Sequence, residues 1–291
     1  MKLRVLVTGA EGFIGRHLLK SLKTAGHEVY GISRSDADIT DLDSLLRLSR
    51  DTEVLVHLAF PASPAFRREQ PLKALQVAAA GTTNSILLAQ RCKASHYVLA
   101  SSGKIYGKPN IPPVSEDHPL NPGAFLGRLK NIQEMIVQAA MNRADNLSVT
   151  SLRLFNVYGP GCSEEFLISK LISGFQKSGR ITLGELDHRR DWIHVRDACN
   201  AFLFAIQAPS KQKSFQPLNV GTGSSTSARE IFDMLCSISG KHPEMIQDPS
   251  LLRRAEPEQE SADCQRLVSL GWNVEMSLVD GLKDTWAGLL P

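Results

Sequence analysis

Leu3-Arg4-Val5-Leu6-Val7-Thr8-Gly9-Ala10-Glu11-Gly12-Phe13-Ile14-Gly15 joins an apolar strand, a glycine turn and the opening of a helix without a break. Residues 3–7 have the short apolar character of a buried strand. Residues 14–25 place Ile14, Leu18, Leu19 and Leu22 on one helical face. Gly26 follows, where a left-handed C-terminal cap costs glycine least. Gly9 permits the tight turn, Gly12 lets backbone amides approach a pyrophosphate, and Gly15 lets helix and strand pack closely. The helix N-terminus at Phe13 and Ile14 adds partial positive charge toward the phosphates. A glycine triplet alone is weak evidence; between a strand and a helix it reads as a dinucleotide-binding turn.

Working outward, apolar strands at 27–32, 53–58, 97–100 and 147–154 alternate with helical patterns at 42–50, 71–91 and 125–143. This rhythm predicts an α/β fold built on a doubly wound parallel sheet. It loosens after Gly159-Pro160-Gly161. Helices are expected at about 165–178 and 226–239, strands near 181–183, 191–195 and 217–220, and a closing helix at 277–290. The expected organisation is a dinucleotide unit, 1–156 plus about 188–217, with a smaller interleaved C-terminal α/β substrate lobe, about 157–187 and 218–291.

The 291 residues, 42% hydrophobic, suffice for a sizeable core. Net charge is only +3, with basic residues dispersed, which argues against nucleic acid or an anionic membrane as partner. No apolar run approaches the roughly 20 residues of a bilayer span. Residues 1–7 are too short for a signal peptide and run straight into the glycine turn, so none is expected. Cys92, Cys162, Cys199, Cys236 and Cys264 are scattered, and neither C-x-x-C nor H-E-x-x-H occurs, so no disulfide framework and no metal site is expected. A reducing cytoplasm is the expected location.

The end of the second strand chooses between NAD and NADP. An NAD site carries Asp or Glu there for the ribose 2′-hydroxyl. Gly31-Ile32-Ser33-Arg34-Ser35 has none, and Ser33 with Arg34 suits a 2′-phosphate through charge-assisted hydrogen bonds. NADP(H) is favoured over NAD(H), the plain alternative being a solvated Arg34. His57-Leu58-Ala59 closes a later strand, and His57 reads as a packed strand-end residue.

Asn121-Pro122-Gly123-Ala124-Phe125-Leu126-Gly127-Arg128-Leu129-Lys130-Asn131-Ile132-Gln133-Glu134 resembles the active-site helix of the extended short-chain dehydrogenase/reductases, the NAD-dependent epimerase/dehydratase family. There the run is Pro, three residues, Tyr-Gly, two residues, Lys, three residues, Glu. Pro122, Gly127, Lys130 and Glu134 match, and the register puts Leu126 on the tyrosine. Leucine has no proton to give or take. The resemblance runs from about residue 3 to 286 and implies a Rossmann sheet. It is similar in particular to nucleotide-sugar 4-ketoreductases, notably the GDP-4-keto-6-deoxymannose reductase group.

Leu99-Ala100-Ser101-Ser102-Gly103-Lys104-Ile105-Tyr106-Gly107 resembles the family's serine/threonine motif. The resemblance gives Ser102 the hydroxyl that polarises substrate, Lys130 the nicotinamide ribose, and Tyr106 a structural place. Gly103 and Lys104 stand where family dehydratases carry Asp-Glu, which disfavours a 4,6-dehydratase and makes Lys104 a candidate substitute acid. Ala78 stands where the family commonly carries Asn. Asp38-Ile39-Thr40-Asp41 resembles the adenine-edge segment, with the third strand expected after an unusually brief loop. Leu58 and Ala59 resemble the loop along the cofactor phosphates and ribose.

On the substrate side, Asn156, Phe166, Arg190 and Arg254 match positions that contact a nucleotide sugar. Helices 71–91 and 125–143 match the pair forming a homodimer interface. Two readings follow. One is a nucleotide-sugar reductase or epimerase acting at C4, with Ser102 and Lys130 kept and the tyrosine lost. The other is an inactive relative that binds cofactor and nucleotide sugar as a regulatory or structural subunit.

Overall fold

The computed structural model describes residues 2–108, 112–141, 147–177, 179–207, 214–252 and 257–288. Its strands are β1 (Arg4–Thr8), β2 (Glu28–Ile32), β3 (Val54–His57), β4 (His96–Ser102), β5 (Ser148–Leu154), β6 (Asn156–Tyr158), β7 (Arg180–Leu183), β8 (Arg189–His194), β9 (Phe215–Val220), β10 (Ser225–Ser227) and β11 (Glu244–Gln247). Its helices are α1 (Phe13–Thr24), α2 (Leu42–Leu46), α3 (Pro64–Glu69), α4 (Pro71–Arg91), α5 (Phe125–Met141), α6 (Leu167–Gln176), α7 (Val195–Gln207), α8 (Ala228–Ser239), α9 (Gln265–Ser269) and α10 (Leu278–Gly288).

Six parallel strands form the main sheet in the order β2-β1-β3-β4-β5-β9. Runs such as Val54-Leu55-Val56 are apolar throughout because both faces are covered. On one face Leu18 and Leu22 of α1 pack with Phe202 and Ala205 of α7. On the other, Leu88 of α4 and Val137 of α5 pack with Leu55, Tyr97 and Leu99. The expected doubly wound α/β sheet is therefore present. A separate core joins Ile168, Leu171 and Phe175 of α6 with Ile231 and Leu235 of α8. Two small sheets, β10-β8-β6 and β11-β7, accompany it.

Three expectations are corrected. Residues 33–41 form turns without a strand, so β2 is the edge of the sheet. Short hydrogen bonds from Ser33 to Asp36 and from Thr40 to Asp38 fold this segment back on itself, and such local side-chain bonding competes with strand pairing. The helix expected at 42–50 ends at Leu46. The strand expected at 191–195 is Arg189–His194, and α7 starts on the next residue. Helix α7 was not anticipated although Arg196, Asn200 and Gln207 share one face, opposite the buried Ala198, Cys199, Ala201, Phe202, Ala205 and Ile206. Of the helix expected at 125–143, residues 142 and 143 lie outside the described residues.

Candidate functional site

The C-terminal ends of β1, β3 and β4 lie side by side around the glycine turn. Gly9 has φ +74°, and its amide donates to the Ile32 carbonyl at 2.9 Å. A Cβ on Gly9 would stand 2.7 Å from the Ala59 amide, and one on Gly15 would overlap the Gly9 carbonyl. Both positions therefore exclude every side chain. Helix α1 opens at Phe13 and Ile14 with no acidic residue in its first turn and no side-chain cap on Gly12. Its positive end is thus left for an outside anion. A tightly packed turn that leads into uncapped backbone amides at the start of α1 fits the diphosphate of a dinucleotide.

At the end of β2, Ser33 is buried, and its amide and Oγ both donate to Asp36 Oδ2, at 2.8 and 2.7 Å. The sequence reading missed this carboxylate. Its signal was the Ser-x-x-Asp spacing, which suits a side-chain-closed turn. Arg34 is exposed. Asp38 accepts from the Thr40 amide and hydroxyl at 2.9 and 2.7 Å, which holds its carboxyl below the usual range. Ile39 lies against Gly81 of α4.

Helix α5 carries the lysine. Leu126 and Lys130 are one turn apart on one face. Lys130 Nζ donates to the Ala100 carbonyl at 2.7 Å and to Gln133 Oε1 at 2.9 Å, beneath the Phe60 ring at 3.7 Å. Burial, helped by the positive Arg67, pulls its pKa down to about 7. Gln133 donates to Thr82 Oγ1 at 2.7 Å, and His57 bonds Thr8 Oγ1 at 2.8 Å. His57 is buried, and burial holds its pKa near 3, so it is neutral at physiological pH. Ala78 sits in an apolar cluster with Ala74 and Leu129.

Ser102 ends β4, two residues beyond the carbonyl that holds Lys130. Its Oγ accepts from the Lys104 amide at 3.2 Å and caps the 3₁₀ turn Gly103–Tyr106. A Cβ on Gly127 would overlap the Lys104 carbonyl, so this turn is pressed onto α5 one residue beyond Leu126. Tyr106 is buried; its hydroxyl donates to Asn219 Oδ1 at 2.7 Å and accepts from Arg153 at 3.0 Å.

Three sequence-predicted residues converge on one that was not predicted, Glu260. Lys104 Nζ reaches both Glu260 oxygens at 2.9 Å, Asn156 Nδ2 donates to Oε1 at 2.7 Å, and Arg190 Nε lies 3.8 Å away. Glu260 is 6% exposed and Arg190 8%. No motif marks Glu260, because it falls in the charged run Glu258-Gln259-Glu260 and only chain folding brings it inward. Phe166 is the partly exposed N-cap of α6, apart from this cluster. Its neighbour Glu165 accepts from Ser63 Oγ at 2.8 Å. Arg254 lies outside the described residues.

The chain is 31% identical to the UDP-glucose 4-epimerase of Mycolicibacterium smegmatis, over 97% of each chain. It is 28% identical to the GDP-6-deoxy-D-mannose reductase of Pseudomonas aeruginosa, over 97% of this chain and 96% of that one. The structure of MoeE5 in complex with UDP-glucose and NAD superposes with a TM-score of 0.89 at 28% identity, covering 98% of each chain. The family model described as "NAD dependent epimerase/dehydratase family" matches residues 5–221, the glycine turn, the lysine helix and β9 included, and the chain belongs to that family.

Proposed function

We propose that this chain binds a nicotinamide dinucleotide and a nucleotide sugar and acts as a reductase or epimerase at the sugar's C4, with an atypical active site. The observation that carries this reading is the glycine turn, closed on Ala59 so tightly that a Cβ on Gly9 would stand 2.7 Å from its amide. Gly9, Gly12, Phe13, Ile14 and Gly15 would hold the phosphates. Ser33 and Arg34 would hold a 2′-phosphate, which makes NADP(H) the proposed cofactor. Asp38 and Ile39 would meet the adenine, Leu58 and Ala59 the ribose and phosphates, and Lys130 the nicotinamide ribose. When bound, the dinucleotide supplies or accepts a hydride. Ser102 would polarise the sugar carbonyl, while Asn156, Phe166, Arg190 and Arg254 would hold the nucleotide sugar. The M. smegmatis epimerase and MoeE5 with UDP-glucose support this substrate class.

The division into units 1–156 with 188–217, and 157–187 with 218–291, belongs to the same proposal, as does a cytoplasmic location. Among the described residues no helix is long and apolar enough to cross a membrane. Homodimerisation through α4 and α5 is supported by Leu72, 81% exposed, and Met135, 61% exposed. The test of function is NADPH or NADH oxidation with a panel of nucleotide 4-keto sugars. Turnover supports the enzyme. Leu126, with no proton to give, favours the second reading, an inactive binding subunit. Tight binding of cofactor and nucleotide sugar by calorimetry, without turnover, would select it.

A further inference from the structure

The tyrosine's place is filled by a leucine, so any reduction needs its proton from elsewhere. The described groups around the 3₁₀ turn narrow the choice. Lys130 is buried, with Nζ on Ala100 and Gln133 beneath Phe60. Tyr106 is buried between Asn219 and Arg153, and burial pushes its hydroxyl up to about 12. His57 is neutral and sealed behind α4 and α5, bonded to Thr8 and near Thr82 and Gln133. Lys104 differs from all three. Its backbone lies against α5 one residue from Leu126, and its side chain is 17% exposed. Its ammonium is held at 2.9 Å by both oxygens of buried Glu260, on which Asn156 also converges.

We propose that Lys104, positioned by Glu260, is the proton donor that replaces the missing tyrosine in ketone reduction. The inference rests on the nucleotide-sugar reading above. As the carbonyl carbon receives the hydride of the reduced dinucleotide, the C=O π bond opens onto oxygen and the Lys104 N–H bond breaks toward that oxygen. The products are the sugar alcohol, the oxidised dinucleotide and a neutral amine that takes a proton back from water. Charge on Glu260 keeps the ammonium in place before the step. It is a positioning residue and does not itself touch the reacting carbon.

Arginine separates this role from a structural one. Lys104→Arg keeps the cation and an ion pair with Glu260, but a guanidinium does not release its proton in proteins. With a reduced dinucleotide and a 4-keto nucleotide sugar that the wild type turns over, Lys104→Arg is expected to lose ~10²–10⁴ in kcat. Its thermal midpoint and dinucleotide affinity, read by tryptophan fluorescence, should stay at wild-type values. Lys104→Ala should regain turnover with added methylamine, in proportion to its concentration. Wild-type kcat in Lys104→Arg would overturn the proposal and leave the functional reading standing. A wild type silent on every 4-keto sugar, with both ligands bound, would overturn that reading and this inference with it.

Discussion

Arg153 Nη2 meets Glu134 Oε2 at 2.8 Å, with side chains only 3% and 0% exposed. Glu134 also accepts from Ser151 Oγ at 2.8 Å, and Arg153 donates to the Glu116 carbonyl at 3.1 Å. This pair ties α5 to β5 directly behind the lysine. Removing one partner leaves a buried charge alone, so Arg153→Leu should cost ~3–5 kcal/mol in urea unfolding. A loss under about 1 kcal/mol, the scale of an exposed pair, would show that Glu134 finds other compensation.

Leu126→Tyr should place a hydroxyl one helical turn from Lys130, at the position where the sequence resemblance puts the family's tyrosine. In a Lys104→Arg background, which lacks the proposed donor, it should raise turnover of a 4-keto nucleotide sugar by ~10²-fold or more. Steady-state kinetics with both proteins decides it. No gain, with cofactor binding intact, would mean that the surrounding pocket no longer accepts the reacting sugar.

The proposed preference for NADP(H) predicts opposite effects of Arg34 and Asp36. Arg34 is exposed beside Ser33, whereas Asp36 already occupies the Ser33 amide and hydroxyl. A 2′-phosphate must displace or outweigh that carboxylate. Arg34→Ala should raise the Kd for NADPH about tenfold and leave NADH little changed, the worth of one charge-assisted contact. Asp36→Ala should shift preference further toward NADPH. Calorimetric titration of both dinucleotides gives the answer, and equal effects of Arg34→Ala on both would remove the 2′-phosphate role.

Acid should weaken the fold through its buried histidines. Burial lowers the pKa of His57 to about 3 and those of His96 and His194 to about 4. The unfolded chain takes up protons below about 6.5, while the folded chain refuses them until about 4. Stability is therefore present above pH 6.5 and falls as pH drops toward 4. His96, whose Nε2 bonds Thr150 Oγ1 at 3.0 Å, is the cleanest probe. Urea midpoints at pH 7 and 5 should converge in His96→Gln relative to wild type.

Charge on the α4–α5 surface should break a dimer. Leu72→Glu with Met135→Glu puts two carboxylates on exposed apolar positions. Sedimentation at micromolar concentration should give a dimer for the wild type and a monomer for the double variant. A monomeric wild type would remove the interface.

The glycine spacing between β1 and α1 and the alternation of strands and helices through β5 were legible in the sequence. Each depends on neighbours within a turn or two of chain, where periodicity and backbone sterics act. Tertiary structure decided the rest. Residues 33–41 gave up strand pairing for local carboxylate bonds at Asp36 and Asp38. Glu260 reaches Lys104, 156 residues away in the chain, and no local pattern records which carboxylate a buried ammonium will find. That pairing is set by how the 258–263 segment folds against β8, bridging at Arg189 and Gln259, where desolvation penalises each charge unless the opposite one meets it.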